Sequence, residues 1–443
     1  MHMIDRFQEY LQNPLSVRFQ DKVLLAVSGG RDSMLMAYLF LEAGYNCVIL
    51  HCNFHLRGAE SDLDEQLVVA FAAGRGVPCV VEHFDTQQYA EKNQVSIQMA
   101  ARDLRYSWFE QKRIALEADC IAVGQHQNDH IETAFLNLSR GTGITGLQGI
   151  LPRRGHIIRP LLFAGSQEIT EEVNRLAIPY RDDQSNFSTK YVRNKLRLDI
   201  LPKFKELTSE FDKIMVENMD RFRQTAELLD FFVKPIRDKL FQQEGEMLVI
   251  NKKAISEYIE NVPLLYELFR EYGFTVEVLS DLQANFNSTA GKVFQSASFE
   301  MLLDRQTLCL RPREITRIQD AVTNLQLDME SVSFQGGSFS MHTSTDLHIY
   351  KDVTKAQVDF DLLIFPLHLR LWQRGDVFYP LGMAGKKKVS DFFIQQKVNL
   401  FQKKRVPILV NGNGDLIWIA NYRLDNRYRV TENTKKVYII ESN

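Results

Sequence analysis

Residues 22–43 constrain the fold more than any other stretch of the chain. Lys22-Val23-Leu24-Leu25-Ala26-Val27 is a short apolar run of the kind buried on both faces of a parallel sheet, Ser28-Gly29-Gly30 is a turn, and the text from about Ser33 to Ala43 reads as a helix. Strand, glycine turn and helix in that order bring the helix's amino end and its unpaired amides to the carboxyl edge of the sheet, where an anion such as pyrophosphate is held. Glycines at 29 and 30 let the backbone approach such a ligand closely, and Ser28 and Ser33 add hydroxyl donors. Asp32 is a poor neighbour for a bare phosphate, so it points to a nucleotide carrying Mg²⁺ between the two.

The alternation continues with a strand at Cys47 to Cys52, a helix from about Ser61 to Ala73, a strand at Pro78 to Phe84, a helix from about Ser96 to Leu116, a strand at Cys120 to Val123 and a helix from about Asn128 to Leu138. Strands alternating with helices of this length predict right-handed crossovers and a doubly wound parallel sheet, an α/β first half. Past residue 200 the pattern changes. Glu210 to Phe232 reads as a long helix, further helical stretches run to about residue 290, and short alternating strands such as Ser331-Val332-Ser333-Phe334 follow from about residue 297. A chain of 443 residues exceeds one core. The expected domains are 1–216, an α/β catalytic domain; 217–313, mainly helical; and 314–443, a small β-rich α+β domain.

A net charge of −3 excludes a protein that coats nucleic acid over its whole surface, and leaves room for local basic patches. No uncharged apolar run approaches bilayer length and the amino end lacks a secretory pattern, so no membrane partner and a cytoplasmic location are expected. The cysteines at 47, 52, 79, 120 and 309 are odd in number and contain no CxxC pair, which suits buried thiols rather than disulfides or structural zinc.

Ser28-Gly29-Gly30-Arg31-Asp32-Ser33 resembles the SGGxDS loop of the ATP-pyrophosphatase (PP-loop) family, in the required strand-turn-helix setting. The resemblance implies an adenine-nucleotide α-hydrolase-like sheet, ATP and Mg²⁺ as cofactors, and cleavage between the α and β phosphates. Further segments narrow it to the tRNA(Ile)-lysidine synthetases. These are His51 to Asp62, similar to HxxxHxLRGxxSD; Ala100-Ala101-Arg102 to Tyr106, similar to AARxxRY; and His126 to Thr133, similar to HxxDDxxET. Arg140 to Leu147, Ile158 to Leu162, Asp183 to Arg197, and Arg370 to Met383 with its RxGD and PLGM also match. The chain departs at Asn128, where the family commonly has an aspartate, so a metal role is expected of Asp129 and not of residue 128.

In that resemblance, Ser28, Gly29, Gly30, Arg31, Asp32 and Ser33 bind the nucleotide, Asp32 and Asp129 hold the metal, and Arg105 and Arg197 offset charge at the reacting phosphate. His126 and His55 are the candidate catalytic bases for the attacking amine, and the sequence does not choose between them. Read without the resemblance, His51 and His55 suit structural roles, Arg102 and Arg105 a solvated helix face, and the Asp129/Glu132 pair an ordinary capped first turn or a seat for Mg²⁺ or a lysine ammonium. Two basic stretches suit RNA phosphates. One runs from Thr189 to Lys205 and includes Arg193 and Lys195; the other holds seven basic residues against one acid and includes Lys386, Lys387, Lys388 and Arg405, interleaved with Phe392, Phe393 and Phe401. The implied reaction adenylates C2 of the wobble cytidine of a tRNA(Ile) with a CAU anticodon and attaches free L-lysine, switching decoding from AUG to AUA. The rivals are a PP-loop tRNA thiolase, which would need a cysteine pair, and a nucleotide-sensing RNA-binding protein. A homodimer is left open.

Overall fold

The computed structural model describes residues 2–181, 192–288, 290–313, 322–334, 337–383 and 385–443. The chain divides into two compact units, Met1–Asp230 and Phe231–Asn443.

The first unit runs α1 (Met3–Gln12), β1 (Lys22–Ala26), α2 (Arg31–Glu42), β2 (Asn46–Asn53), α3 (Ala59–Gly74), β3 (Cys79–His83), α4 (Thr86–Asn93), α5 (Ile97–Ala115), β4 (Cys120–Val123), α6 (Gln127–Arg140) and α7 (Ile144–Leu147). Then come β5 (Arg153–Arg154), β6 (Ile157–Ile158), α8 (Ser166–Arg175), α9 (Val192–Lys195), a π-helical stretch Leu196–Ile200 and α10 (Leu201–Leu207). The sheet order is β3-β2-β1-β4-β6-β5, parallel except for β5. Successive side chains of β1 leave opposite faces, and the core follows that alternation. Val23 and Leu25 pack with residues of α1, α2 and α8 such as Phe7, Phe40 and Ile169, whereas Leu24 packs with Trp108 and Phe109 of α5. Both faces are therefore covered, as a doubly wound sheet requires, and each fully buried leucine contributes about 2 kcal/mol. The chain leaves β1 for the β2 side and returns on the β4 side, so the strand order reverses between β1 and β4. A crevice opens at the carboxyl ends of strands at such a point.

α11 (Phe211–Leu240) leads into the second unit. Its first part contains β7 (Phe241–Glu244), β8 (Met247–Asn251), α12 (Lys252–Ile255), α13 (Val262–Phe269), α14 (Val276–Asn285), β9 (Lys292–Gln295), β10 (Phe299–Leu303) and β11 (Thr307–Pro312). The helices expected here are present, and the structure adds a five-stranded sheet of order β7-β8-β11-β10-β9. The β7–β8 hairpin turns at Gly245, whose φ of 60° suits glycine.

Beyond it lie β12 (Thr323–Leu325), β13 (Ser331–Phe334), β14 (Gly337–Ser344), β15 (Lys355–Asp359), β16 (Leu367–Leu371), β17 (Val377–Phe378), β18 (Lys387–Lys388), α15 (Val389–Gln395), α16 (Leu400–Lys403), β19 (Pro407–Val410), β20 (Leu416–Ile419), β21 (Arg423–Leu424) and β22 (Val437–Ser442). The sheets β12-β16-β19-β20-β21 and β13-β14-β22-β15 share one core, in which Leu367, Leu369 and Leu409 meet Phe339, Val358, Tyr438 and Ile440. Phe392 and Phe393 of α15 cover the other face at Ile408, Val410 and Ile419. No helix among the described residues is long and apolar enough to cross a membrane.

Candidate functional site

A cavity of about 730 Å³ opens in the first unit at the crevice between β1 and β4. Ser28, Gly30, Arg31 and Asp32 line one wall. Gly30 is the N-cap of α2 and no side chain caps that helix, so its first-turn amides and positive end stay available to an anion. Gly29 carries φ +89°, a conformation that favours glycine. Ser33 is turned inward: its hydroxyl donates to the Gly30 carbonyl at 2.9 Å and accepts from the Ser28 amide at 3.1 Å, so it shapes the loop. Arg31 ties the loop to α8 through Thr170 and Ser166 at 2.7 and 3.0 Å and donates to Asp32 at 2.8 Å.

The facing wall comes from the amino end of α6. His126 is buried and acts as N-cap; its Nδ1 accepts from the Asn128 amide at 3.2 Å, so the neutral ring carries its proton on Nε2. That Nε2 stands 3.7 Å from an Asp32 oxygen and 3.6 Å from an Asp129 oxygen. Two carboxylates from two helix ends thus converge on one point beside the phosphate-binding turn. Hard oxygen donors of this number, completed by nucleotide phosphates and water, suit Mg²⁺. Among the described residues no set of three or more His, Cys, Asp or Glu side chains could enclose a metal. An open two-carboxylate site is what that chemistry needs.

Glu132, one turn along α6, lines the cavity with its side chain 1% exposed. It accepts from Arg193 Nε at 2.7 Å and from Arg197 Nε and a terminal nitrogen at 2.5 and 2.9 Å, while Asp129 accepts from the same two arginines at 2.8 and 3.3 Å. Arg197 lines the cavity, and its neighbouring carboxylates raise its pKa further against the opposing effect of burial. Arg105 also lines it, its guanidinium 5.1 Å from the centre of the Phe54 ring.

Some expected residues lie elsewhere. His55 does not line the cavity; it stacks on His83, with ring nitrogens 2.9 Å apart. His51 does line it, with Nδ1 donating to the Val27 carbonyl at 2.8 Å and burial lowering its pKa, so it is the neutral imidazole of this wall. Arg159 of the Arg-Pro-Leu-Leu run is buried against Gln125 and the Leu151 carbonyl, a structural position. Asp183 to Tyr191 of the matched segment fall outside the described residues. Lys195 is exposed in the first unit; Lys386, Lys388 and Arg405 are exposed in the second, with Lys387 half-buried and bonded to Gln395. Phe392, Phe393 and Phe401 are fully buried, so base stacking on them is ruled out and their spacing reports a core. Arg370 grips Asp376 through two bonds of 2.9 and 2.8 Å, so this part of RxGD staples a turn.

Three features in or beside the cavity were given no role by the motif reading. Asn128 replaces a carboxylate with an amide that accepts from the Ser166 amide at 2.8 Å and donates to Asp212 at 3.2 Å. Gly124 packs so tightly under α2 that an added Cβ would sit 3.0 Å from Ser33 Cα. Arg57 and Arg181 line the cavity beside the turn. A glycine after a buried strand was the only sequence signal for the second, and a basic residue in a quoted motif the only one for Arg57. Of the five free cysteines, only Cys52 lines this cavity; burial holds its thiol up at about 12 despite Arg105 nearby, and no second cysteine stands with it.

The chain matches a PP-loop domain over residues 2–204, a TilS substrate binding domain over 242–313 and a TilS substrate C-terminal domain over 367–441. It is 35% identical over 442 residues to the tRNA(Ile)-lysidine synthase of Parabacteroides distasonis, covering 99% of both chains. It is 36% identical over 420 residues to that of Bacteroides thetaiotaomicron, covering 95% of both. Among solved structures, the U34-tRNA thiolase NcsA of Methanococcus maripaludis matches with TM-score 0.41 at 19% identity, over 49% of this chain and 78% of its own. With three domain matches in sequence and relatives aligned end to end, the chain belongs to the tRNA(Ile)-lysidine synthase family.

Proposed function

We propose that this protein adenylates the C2 oxygen of the wobble cytidine in a tRNA(Ile) bearing CAU and then joins the ε-amine of free lysine to C2, releasing AMP and pyrophosphate. The observation that carries the reading is the uncapped start of α2 with Asp32 and Glu132 lining one crevice, and Asp129 lying 3.6 Å from the His126 Nε2 that faces Asp32. That wall offers amides for phosphates and carboxylates for cations within one cavity.

The C2 oxygen of cytosine is a poor leaving group, and adenylation converts it into one that an amine displaces. The amides around Gly29 and Gly30 hold the phosphates. Asp32 and Asp129 would hold Mg²⁺, which when bound neutralises phosphate charge. Arg105 and Arg197 stabilise charge at the α-phosphate, and Glu132 holds Arg197 in place from α6. His126 holds Asp129 through its backbone N–H, which donates to an Asp129 oxygen at 3.1 Å, and keeps its Nε2 facing Asp32 at 3.7 Å. The lysine amine, of unperturbed pKa about 10.4, must lose a proton before attack. Attack also requires the wobble base to be unstacked and presented to the cavity. Lys195, Lys386, Lys387, Lys388 and Arg405 are assigned to RNA phosphates, whereas Arg193, expected beside them, is held by Glu132 and Asp129.

Incubation of the protein with ATP, Mg²⁺, labelled lysine and a CAU-bearing tRNA(Ile) transcript is expected to place label in RNA with one AMP per lysine. Asp32→Ala should abolish AMP formation. Nucleotide-dependent RNA binding without AMP, or sulfur incorporation in place of lysine, would reject the reading.

A further inference from the structure

We infer that Arg57 and Arg181 form a two-guanidinium clamp for the pyrophosphate end of the nucleotide, aligned by the buried carboxylate of Asp64. The inference rests on the reading of the cavity as an ATP site and extends it to the leaving group.

Asp64 sits on α3 directly behind the phosphate-binding turn: its Cβ lies 3.3 Å from where a side chain on Gly29 would begin. It is only 7% exposed, and a carboxylate so buried requires charged partners. It has two. Arg57 donates to Oδ2 at 2.6 Å and Arg181 Nε to Oδ1 at 2.9 Å. Arg181 is also fastened through its backbone, whose N–H donates to the Gly29 carbonyl at 3.0 Å, so residue 181 and the turn hold one relative position. A terminal nitrogen of Arg181 bonds Glu60, an exposed side chain whose charge water screens. Both arginines line the cavity together with Ser28 and Gly30.

One carboxylate contacts both guanidiniums and fixes the direction of both planar groups beside the turn. A guanidinium fork matches pairs of phosphate oxygens, and a prealigned fork loses little freedom on binding. The turn's amides alone neutralise little of the charge that pyrophosphate carries as it separates from the α-phosphate. AMP lacks the β and γ groups, so the clamp discriminates between the two products. Arg57 and Arg181 are thus substrate-binding residues, and Asp64 is a positioning residue.

The test uses the full chain and calorimetric titration with Mg²⁺-pyrophosphate and, separately, with AMP. Arg57→Met and Arg181→Met should each weaken pyrophosphate binding about tenfold or more while AMP binding stays within about twofold, because one charge-assisted contact is lost from one ligand only. Asp64→Asn should weaken pyrophosphate in the same direction, and the KM for ATP should rise in all three variants with a smaller change in kcat. Arg181→Lys, which keeps charge but not the fork, should recover only part of the loss and guards against misfolding of the methionine variant. Equal weakening of AMP and pyrophosphate, or pyrophosphate binding unchanged in both arginine variants, would overturn the clamp. Wild-type protein that makes no AMP from ATP with tRNA and lysine would instead reject the ATP reading, a distinguishable failure.

Discussion

Replacing Glu132 with glutamine tests the ionic joint between α6 and the Val192–Ile200 stretch. The carboxylate receives three bonds from Arg193 and Arg197, at 2.7, 2.5 and 2.9 Å. Glutamine preserves the shape but points an NH₂ group at guanidinium N–H donors, so at least one contact becomes repulsive and the rest lose their charge. Removing one partner of a buried pair costs about 3–5 kcal/mol. Here the arginines are 39% and 36% exposed and regain water, which lowers the expected loss to about 2 kcal/mol. That loss corresponds to about a thirtyfold increase in the local opening equilibrium. Hydrogen exchange followed by mass spectrometry reads this directly. Peptides covering the Arg193–Ile200 stretch and the first turns of α6 should exchange about thirtyfold faster, whereas those of β1 and β2 should not change. Protection within about threefold of wild type in the α6 peptides would refute the claim that these ion pairs hold the stretch in place.

Burial pushes His130 down to about 4, and its Nδ1 accepts from the Ile150 amide at 2.8 Å. The unfolded chain therefore takes up this proton first. The stability it contributes is complete above about pH 6.5 and is lost as pH falls toward 4, up to about 3 kcal/mol, and His130→Gln should shrink the difference between urea midpoints at pH 7.5 and pH 5. Gly124→Ala would drive a methyl into the Asp32–Ser33 backbone, so the KM for ATP should rise about tenfold while lysine and tRNA affinities hold. Cys52→Ser should leave lysidine formation within about twofold of wild type, since a thiol held at about 12 is no nucleophile near neutral pH; loss of activity would revive a sulfur-transfer reading.

The parts of the fold carried by local pattern were legible. The run from Lys22 to Ala43 specifies strand, turn and helix, and the same alternation through Arg140 specifies the doubly wound sheet. The β7–β8 hairpin was not, because Phe241 to Asn251 is short, its first strand is polar and largely exposed, and it follows directly on a long helix. The cavity was legible where one element supplies the chemistry, as at Ser28 to Ser33. It was hidden where partners meet across the sequence: Asp64 joins arginines from positions 57 and 181, and no spacing rule links them. The aromatic residues among the lysines of the second unit misled for a related reason. An amphipathic segment presents lysines outward by burying its phenylalanines, so the same text suits a core and a stacking platform.

The amide at position 128 shows how such cross-sequence dependence constrains change. Its oxygen accepts from the Ser166 N–H and its nitrogen donates a hydrogen bond to Asp212, which also holds Lys205 at 2.6 Å. An aspartate there would keep the first contact and set two anions face to face at the second. Residues 128 and 212 are therefore coupled in this chain: an acid at 128 is accommodated only if the charge at 212 is removed or neutralised, and neither substitution is neutral when made alone.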